Sequence, residues 1–337
     1  FFKQKTAYEM VLRDWSSDVC SSDLPEAVIV PGGGEFNGFV ARELQRYIET
    51  LSGARLEIAA AAPKGKPLVL VGGHAAAVGL KDGGYVLKRA TSGGQPALVV
   101  SGNDEAGTMY AAYDLLERLG FVFLLTKDIV PKKQSDVRMP ALDERIEPSY
   151  RRRGVHVDFC YPNQTIWSLD YWKKFIDRMV RMRMNYLQVF WFPYAPFLTY
   201  DYKGEKNLLG DVSTKESGYL LWATGFGSHL ARDMAVGREH FIHPRLAPPE
   251  FQNVETPEQA FTVAQNMLRQ VIAYAKTKKI KTWLAIDPVS LPANLARHAR
   301  ARTGDLPFHP IMGGVYVCPV DPVVDEINEN RLKSLVS

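Results

Sequence analysis

The sequence predicts a mixed chain in two parts, an α+β domain followed by strand, helix, strand units of the kind that feed a parallel sheet. Two stretches carry that expectation. Tyr150–Tyr194 reads as strand, loop, helix, strand. Within it Trp172, Phe175, Ile176, Met179 and Val180 recur at helical spacing, while Lys173, Lys174, Asp177, Arg178 and Arg181 fall on the opposite side. Leu187–Phe192 is then apolar without alternation, the mark of a strand covered on both faces. The other stretch, residues 25–133, sets short β-rich runs around two amphipathic patterns that could cover one face of a sheet.

Taken in order, Ala27–Val30 is the first strand, Gly32–Gly34 a turn, and Phe36–Leu51 a helix ended by Ser52 and Gly53. Strands follow at Arg55–Ala59, Pro67–Val71, Tyr85–Arg89 and Ala97–Ser101. Asn103 or Asp104 caps a second helix with an inner stripe of Met109, Ala112, Tyr113, Leu116 and Leu119, and Gly120 stops it before a strand at Phe121–Leu125. The glycine triplet invites a phosphate-loop reading, but Asn37 stands where a dinucleotide fingerprint needs its third glycine, and no G-K-S/T follows. A tight turn is the simpler account. Residues 134–148 are polar and end at Pro148, which reads as a linker. Beyond it, Gly154–Phe159 is a strand, Ser168 the cap of the next helix, and Pro193–Glu255 an insertion too long for a plain connection. Thr256, Pro257 and Gln259 form a capping box with proline at the first helical position, for a helix running to about Lys278. Thr282–Ile286 is a further strand, closed by Asp287 and Pro288, and a last helix starts near Pro322.

The 337 residues leave room for two domains, and 46% hydrophobic with 23% charged residues suits a folded, cored protein. A net charge of +4, with basic residues dispersed apart from Arg151–Arg153, argues against nucleic acid as a partner. No apolar run approaches the roughly 18 residues of a membrane span, so no membrane partner is expected. Cys160 and Cys318 lie far apart with neither C-x-x-C spacing nor a paired base, and predict no disulfide framework. His240, His243 and Glu239 lack the H-E-x-x-H order, so no metal site is expected, and no cofactor. Oligomeric state is not legible in the sequence.

Phe1–Leu24 stands apart. It has no apolar core or small-residue cleavage site of a signal peptide. Its KQKTAYE and DWSSDVCSSDL resemble the conceptual translation of short-read sequencing adapters, so residues 1–24 are read as an assembly artefact and kept out of the fold prediction. On that reading the native N-terminus lies elsewhere and localisation cannot be read, although a secreted or periplasmic setting would suit the parent.

Two helical patterns carry a family resemblance. ARELQRYIETLSG at Ala41–Gly53 and GTMYAAYDLLERLG at Gly107–Gly120 resemble the non-catalytic N-terminal domain of α-glucuronidases, family 20 β-hexosaminidases and their relatives. The resemblance covers about 100 residues and is shared by several glycosidase activities. It implies that residues 25–133 are an accessory α+β domain. Residues 149–337 would then begin a (β/α)8 TIM barrel, truncated with about three strands present. Such enzymes hydrolyse glycosidic bonds with two carboxylates, which the resemblance places on strand four and later, so none of the catalytic pair is expected in this chain. It implies a carbohydrate substrate. The alternative is a non-catalytic carbohydrate-binding barrel protein.

Sugars offer hydroxyls to carboxylates and imidazoles and apolar faces to aromatic rings. The residues at the strand ends that suit such a pocket are His156, Asp158, Trp191, Tyr194 and Asp287. Four of them have a plainer reading: a hydrogen bond in the barrel interior for His156, capping or an ion pair with the Arg151–Arg153 run for Asp158, core packing for Trp191, a turn before Pro288 for Asp287. The Arg151–Arg153 run could grip a uronate, or simply be a solvated strand entrance.

Overall fold

The computed structural model describes residues 18–21, 24–138, 140–158, 167–191, 197–207, 249–251, 257–300 and 315–336. They divide into two compact units, one of residues 1–153 with 178–184 and the other of residues 154–177 with 185–337.

The first unit is built on a six-stranded mixed sheet. Its elements in chain order are β1 (Val28–Pro31), α1 (Glu35–Ser52), β2 (Glu57–Ile58), β3 (Leu68–Val71), β4 (Tyr85–Ser92), β5 (Gln95–Gly102), α2 (Glu105–Arg118) and β6 (Asp143–Ile146). The strand order is β6-β4-β5-β3-β1-β2. β2, β1, β3 and β5 run parallel, and β4 and β6 are antiparallel to their neighbours. The central strands are valine- and leucine-rich because both faces are covered. Val28, Ile29, Leu68, Val69, Leu98, Val99 and Val100 are all buried. α1 and α2 pack against the sheet and each other, with Val40, Ala41, Leu44, Ile48, Tyr110, Ala111 and Leu116 inside. Ala77, Leu80, Val86 and Val99 form a small further cluster. α1 ends on Gly53 at φ 89, a left-handed residue whose amide bonds the Glu49 carbonyl, and α2 starts on Asp104, whose side chain accepts from the Gly107 amide.

β6 lies inside the stretch read as a linker. It pairs with β4 from Asp143 opposite Lys88 to Ile146 opposite Tyr85. As an edge strand of D-E-R-I it buries little and is held by ion pairs of Lys88 with Asp143 and Arg118 with Glu144. Asp18–Ser21, within the segment set apart above, pairs with Val137–Arg138 and Leu24–Pro25, and Val19 is buried.

The second unit holds β7 (Gly154–Asp158), α3 (Leu169–Arg181) up to Asp177, β8 (Tyr186–Trp191), α4 (Pro257–Thr277), β9 (Lys281–Ile286) and α5 (Pro322–Val336). β7, β8 and β9 form a three-stranded parallel sheet in that order, and among the described residues α3 lies between the first two strands and α4 between the last two. Among the described residues it does not close into a barrel. Ser168 Oγ accepts from the Tyr171 amide and starts α3. The α3 stripe of Trp172, Phe175, Ile176, Met179 and Val180 is buried, as is the α4 stripe of Ala264, Met267, Leu268, Val271 and Ala275. The described unit also holds short hairpin strands at Asp201–Tyr202 and Glu205–Lys206, an antiparallel pair of Ser290–Leu291 with Val315–Tyr316, and single helical turns at Pro249–Phe251 and Ala293–Ala296.

Candidate functional site at the carboxyl edge of the parallel sheet

Parallel pairing in strict register fixes which residues share a level. Gly154 pairs with Tyr186 and Tyr186 with Lys281, and the rows continue one residue at a time to Asp158, Phe190 and Ala285. Successive residues of a strand point to opposite sides. Val157, Leu187 and Val189 are buried, whereas His156 is exposed and Trp283, its row mate through Gln188, is 49% exposed. One side of the sheet is therefore apolar and helix-covered, and the other carries imidazole, amide and indole groups.

The register also gathers most of the sugar-binding candidates at one edge. Asp158 is the last residue of β7, Trp191 the last of β8 opposite Ile286, and Asp287 the first residue after β9. His156 lies two residues inside that edge. Tyr194 falls outside the described residues, as do Cys160 and the Glu239, His240 and His243 group.

Asp287 is half-buried and its Oδ1 accepts from the Val289 amide at 3.1 Å, the turn that its position before Pro288 suggests. Its backbone carbonyl accepts from Arg331 Nη1 at 3.0 Å, and the Pro288 carbonyl from Asn328 Nδ2 at 2.8 Å. Two α5 side chains thus hold the turn that follows β9.

Several polar features have structural explanations. Arg153 Nε donates to the Arg183 carbonyl at 2.9 Å and its Nη1 to the Tyr150 carbonyl at 2.7 Å, so this member of the arginine run is a backbone clamp. The glycine triplet is a turn: Gly33 and Gly34 have φ of 81° and 79°, and a Cβ on Gly32 would meet the Gly72 carbonyl oxygen at 2.4 Å. Cys318 is a free thiol, half-buried.

Sequence reading missed Trp283 and a second polar cluster. The Trp283 ring lies 5.9 Å from that of Tyr186, and the alternation Thr282, Trp283, Leu284 was the available signal. In the cluster, Glu205 accepts from Arg297 Nη2 at 2.6 Å and Asn294 Nδ2 at 3.2 Å, with His298 Nε2 at 3.0 Å. The His298 contact, then Asn294 and Arg297, holds the Glu205 carboxyl below its usual range. It ties the hairpin to the Ala293–Ala296 turn, partners that lie about 90 residues apart, which no local pattern reveals. Among the described residues no group of three His, Cys, Asp or Glu side chains could hold a metal ion, and no helix is long and apolar enough to cross a membrane.

Residues 8–115 match the family model described as the glycosyl hydrolase family 67 N-terminus. No curated protein matches the sequence. Among solved structures, the chain aligns with the family 20 β-N-acetylhexosaminidase from Streptomyces coelicolor at a TM-score of 0.52 and 14% identity, over 95% of this chain and 54% of that one. A Streptomyces plicatus β-hexosaminidase variant in complex with GlcNAc gives 0.51 at 14% identity, over 95% and 53%. The chain thus spans about half the length of these solved enzymes, and at such identity the likeness is one of fold. By its N-terminal match and by this shared fold, the chain resembles the glycoside hydrolase group.

Proposed function

We propose that this chain is the N-terminal part of a carbohydrate-active hydrolase, in which β7, β8 and β9 are the first three strands of a (β/α)8 barrel and residues 25–133 an accessory domain. The parent would cleave glycosidic bonds of an oligo- or polysaccharide, with an α-glucuronidase-like or hexosaminidase-like specificity. Its acid and base would lie on strands beyond these three. The observation that carries the reading is the register of the parallel sheet, which lines up Asp158, Trp191 and Asp287 at a single carboxyl edge. In barrels that edge bears the active site. Asp158 and Asp287 would bind sugar hydroxyls, His156 would add a hydrogen-bonding group below them, and Trp191 and Tyr194 would offer ring faces. The 53–54% coverage of the solved relatives supports a longer parent.

The experiment is to express the extended reading frame and assay it on aryl uronides and aryl N-acetylhexosaminides, beside the 337-residue chain. Turnover by the extended protein alone is expected, and silence on both substrate classes would overturn the reading. The alternative of a non-catalytic glycan binder is separated by the same extension: acidic residues at the ends of later strands favour the enzyme, and apolar ones the binder.

A further inference from the structure

Arg331 is 1% exposed, yet no carboxylate pairs with it among the described residues. Its Nη1 donates to two neutral oxygens, the Asp287 carbonyl at 3.0 Å and Asn328 Oδ1 at 2.8 Å. Those bonds satisfy donors, but among the described residues nothing compensates the positive charge, and taking a lone ion out of water is the most costly burial a fold can make. Nε of the same side chain is buried with no hydrogen-bond partner. So is the hydroxyl of Tyr200, a residue 6% exposed, over whose ring the guanidinium carbon sits at 5.6 Å from the centroid. Buried polar atoms almost always have a partner. Here two orphan donors, an N–H and an O–H, occur on one cation–ring pair of side chains, whose positive charge has no carboxylate partner among the described residues.

We propose that Arg331 and Tyr200 form the wall of an internal binding site for one small monovalent anion of halide size. Water could accept from both donors but would leave the charge, whereas an anion answers both. A single cation calls for a single negative charge, and the closure of both residues from solvent excludes organic carboxylates and phosphate esters. Burial holds the Tyr200 phenol above its ordinary range, against the opposing charge of Arg331, so the hydroxyl stays a donor at neutral pH. Because Arg331 also holds the Asp287 carbonyl, an occupied site would firm the turn after β9. The anion site itself does not depend on the proposed hydrolase activity.

The test is thermal melting of the 337-residue chain in sodium chloride against sodium gluconate at matched ionic strength. Chloride, raised about a hundredfold, is expected to lift the melting midpoint by on the order of 5 °C, as mass action requires of a ligand that binds only the folded state. Tyr200→Phe should shrink the chloride response, and Arg331→Met, which keeps the bulk and removes the charge, should abolish it. Equal melting in the two salts, or an undiminished response in Arg331→Met, would overturn the proposal. Should Arg331→Met not fold, a bromide-soaked crystal of the native chain decides: an anomalous peak beside Nε and the Tyr200 hydroxyl supports the site, and none there sinks it.

Discussion

Glu43 shows how individual residues connect the two helical patterns of the N-terminal unit. Its Oε2 accepts from the Tyr113 hydroxyl at 2.8 Å and pairs with Arg46 Nη2 at 3.0 Å. Tyr47, one residue beyond Arg46, sets its ring edge-on to Tyr113, Phe121 and Phe123 and donates to Asp128 Oδ2 at 3.0 Å. Burial raises the Tyr47 phenol to about 12, so it remains a donor at neutral pH. Gly107 opens the second pattern because a Cβ there would meet the Gly84 carbonyl oxygen at 2.3 Å. The residues that made the resemblance legible are therefore a packing and hydrogen-bond knot, which is why they specify a domain and say little of a substrate. For Glu43, burial alone would raise the pKa, but the Arg46 hydrogen bond and charge, with the Tyr113 hydroxyl, outweigh it and the net shift is down. A carboxyl with a lowered folded pKa adds stability above its unfolded value of about 4.3, and that stability is lost as pH falls through the folded value. Urea unfolding at neutral and at acid pH should show Glu43→Gln about 1 kcal/mol less stable than the native chain at pH 7, with the gap closing in acid. A gap that stays constant across the range would show that the carboxylate charge is not what matters.

At the scale of elements, α2 is tied down at its start and α1 is not. Asp104 Oδ1 accepts from the Gly107 amide at 2.6 Å, while its Oδ2 accepts from the Gly83 amide at 2.9 Å, so one carboxylate caps the helix and fixes the turn before β4. α1 begins at Gly34 with no side-chain cap bond. Asp104→Ala should cost about 2 kcal/mol, the upper end for a cap because a second amide is orphaned with it. Asp104→Asn keeps one acceptor and should recover part of that. Urea midpoints measure both, and a loss below about 0.5 kcal/mol for the alanine variant would mean that water replaces the cap. Most elements were legible because periodicity reports burial directly: α1, α2, α3, α4 and all strands of both sheets except β6 lie within a few residues of where the apolar patterns place them. β6 was not, since an edge strand written D-E-R-I has no apolar face to read. The candidate site was legible only as a set of strand ends. That Asp158, Trp191 and Asp287 share an edge follows from register, and that Asp287 is held by Arg331 follows from a contact 44 residues away in the chain.

The whole molecule contains two cores, and the chain does not pass from one to the other at a single point. Gly154–Asp177 belong to the second unit, Arg178–Met184 to the first, and Asn185 onward to the second again. Within the first unit Arg181 Nη1 meets Asp128 Oδ2 at 3.0 Å, with the two side chains 17% and 21% exposed, and Arg183 Nη1 meets Glu117 Oε2 at 2.6 Å. Separate cores melt as separate cooperative units unless their coupling is strong. Calorimetry on the chain should therefore resolve two transitions, and Asp104→Ala identifies the one belonging to the first unit by lowering it. Arg181→Met should lower that same transition by a few degrees, since removing one partner leaves the Asp128 carboxylate with the Tyr47 hydroxyl alone, a loss on the order of 1–3 kcal/mol. Position 181 is the last residue of a helix whose first residues belong to the other unit, so sequence order assigns the effect to the second transition and the contacts assign it to the first. A single two-state transition, or an Arg181→Met effect on the second transition alone, would show that the two cores are not the independent units their contacts define.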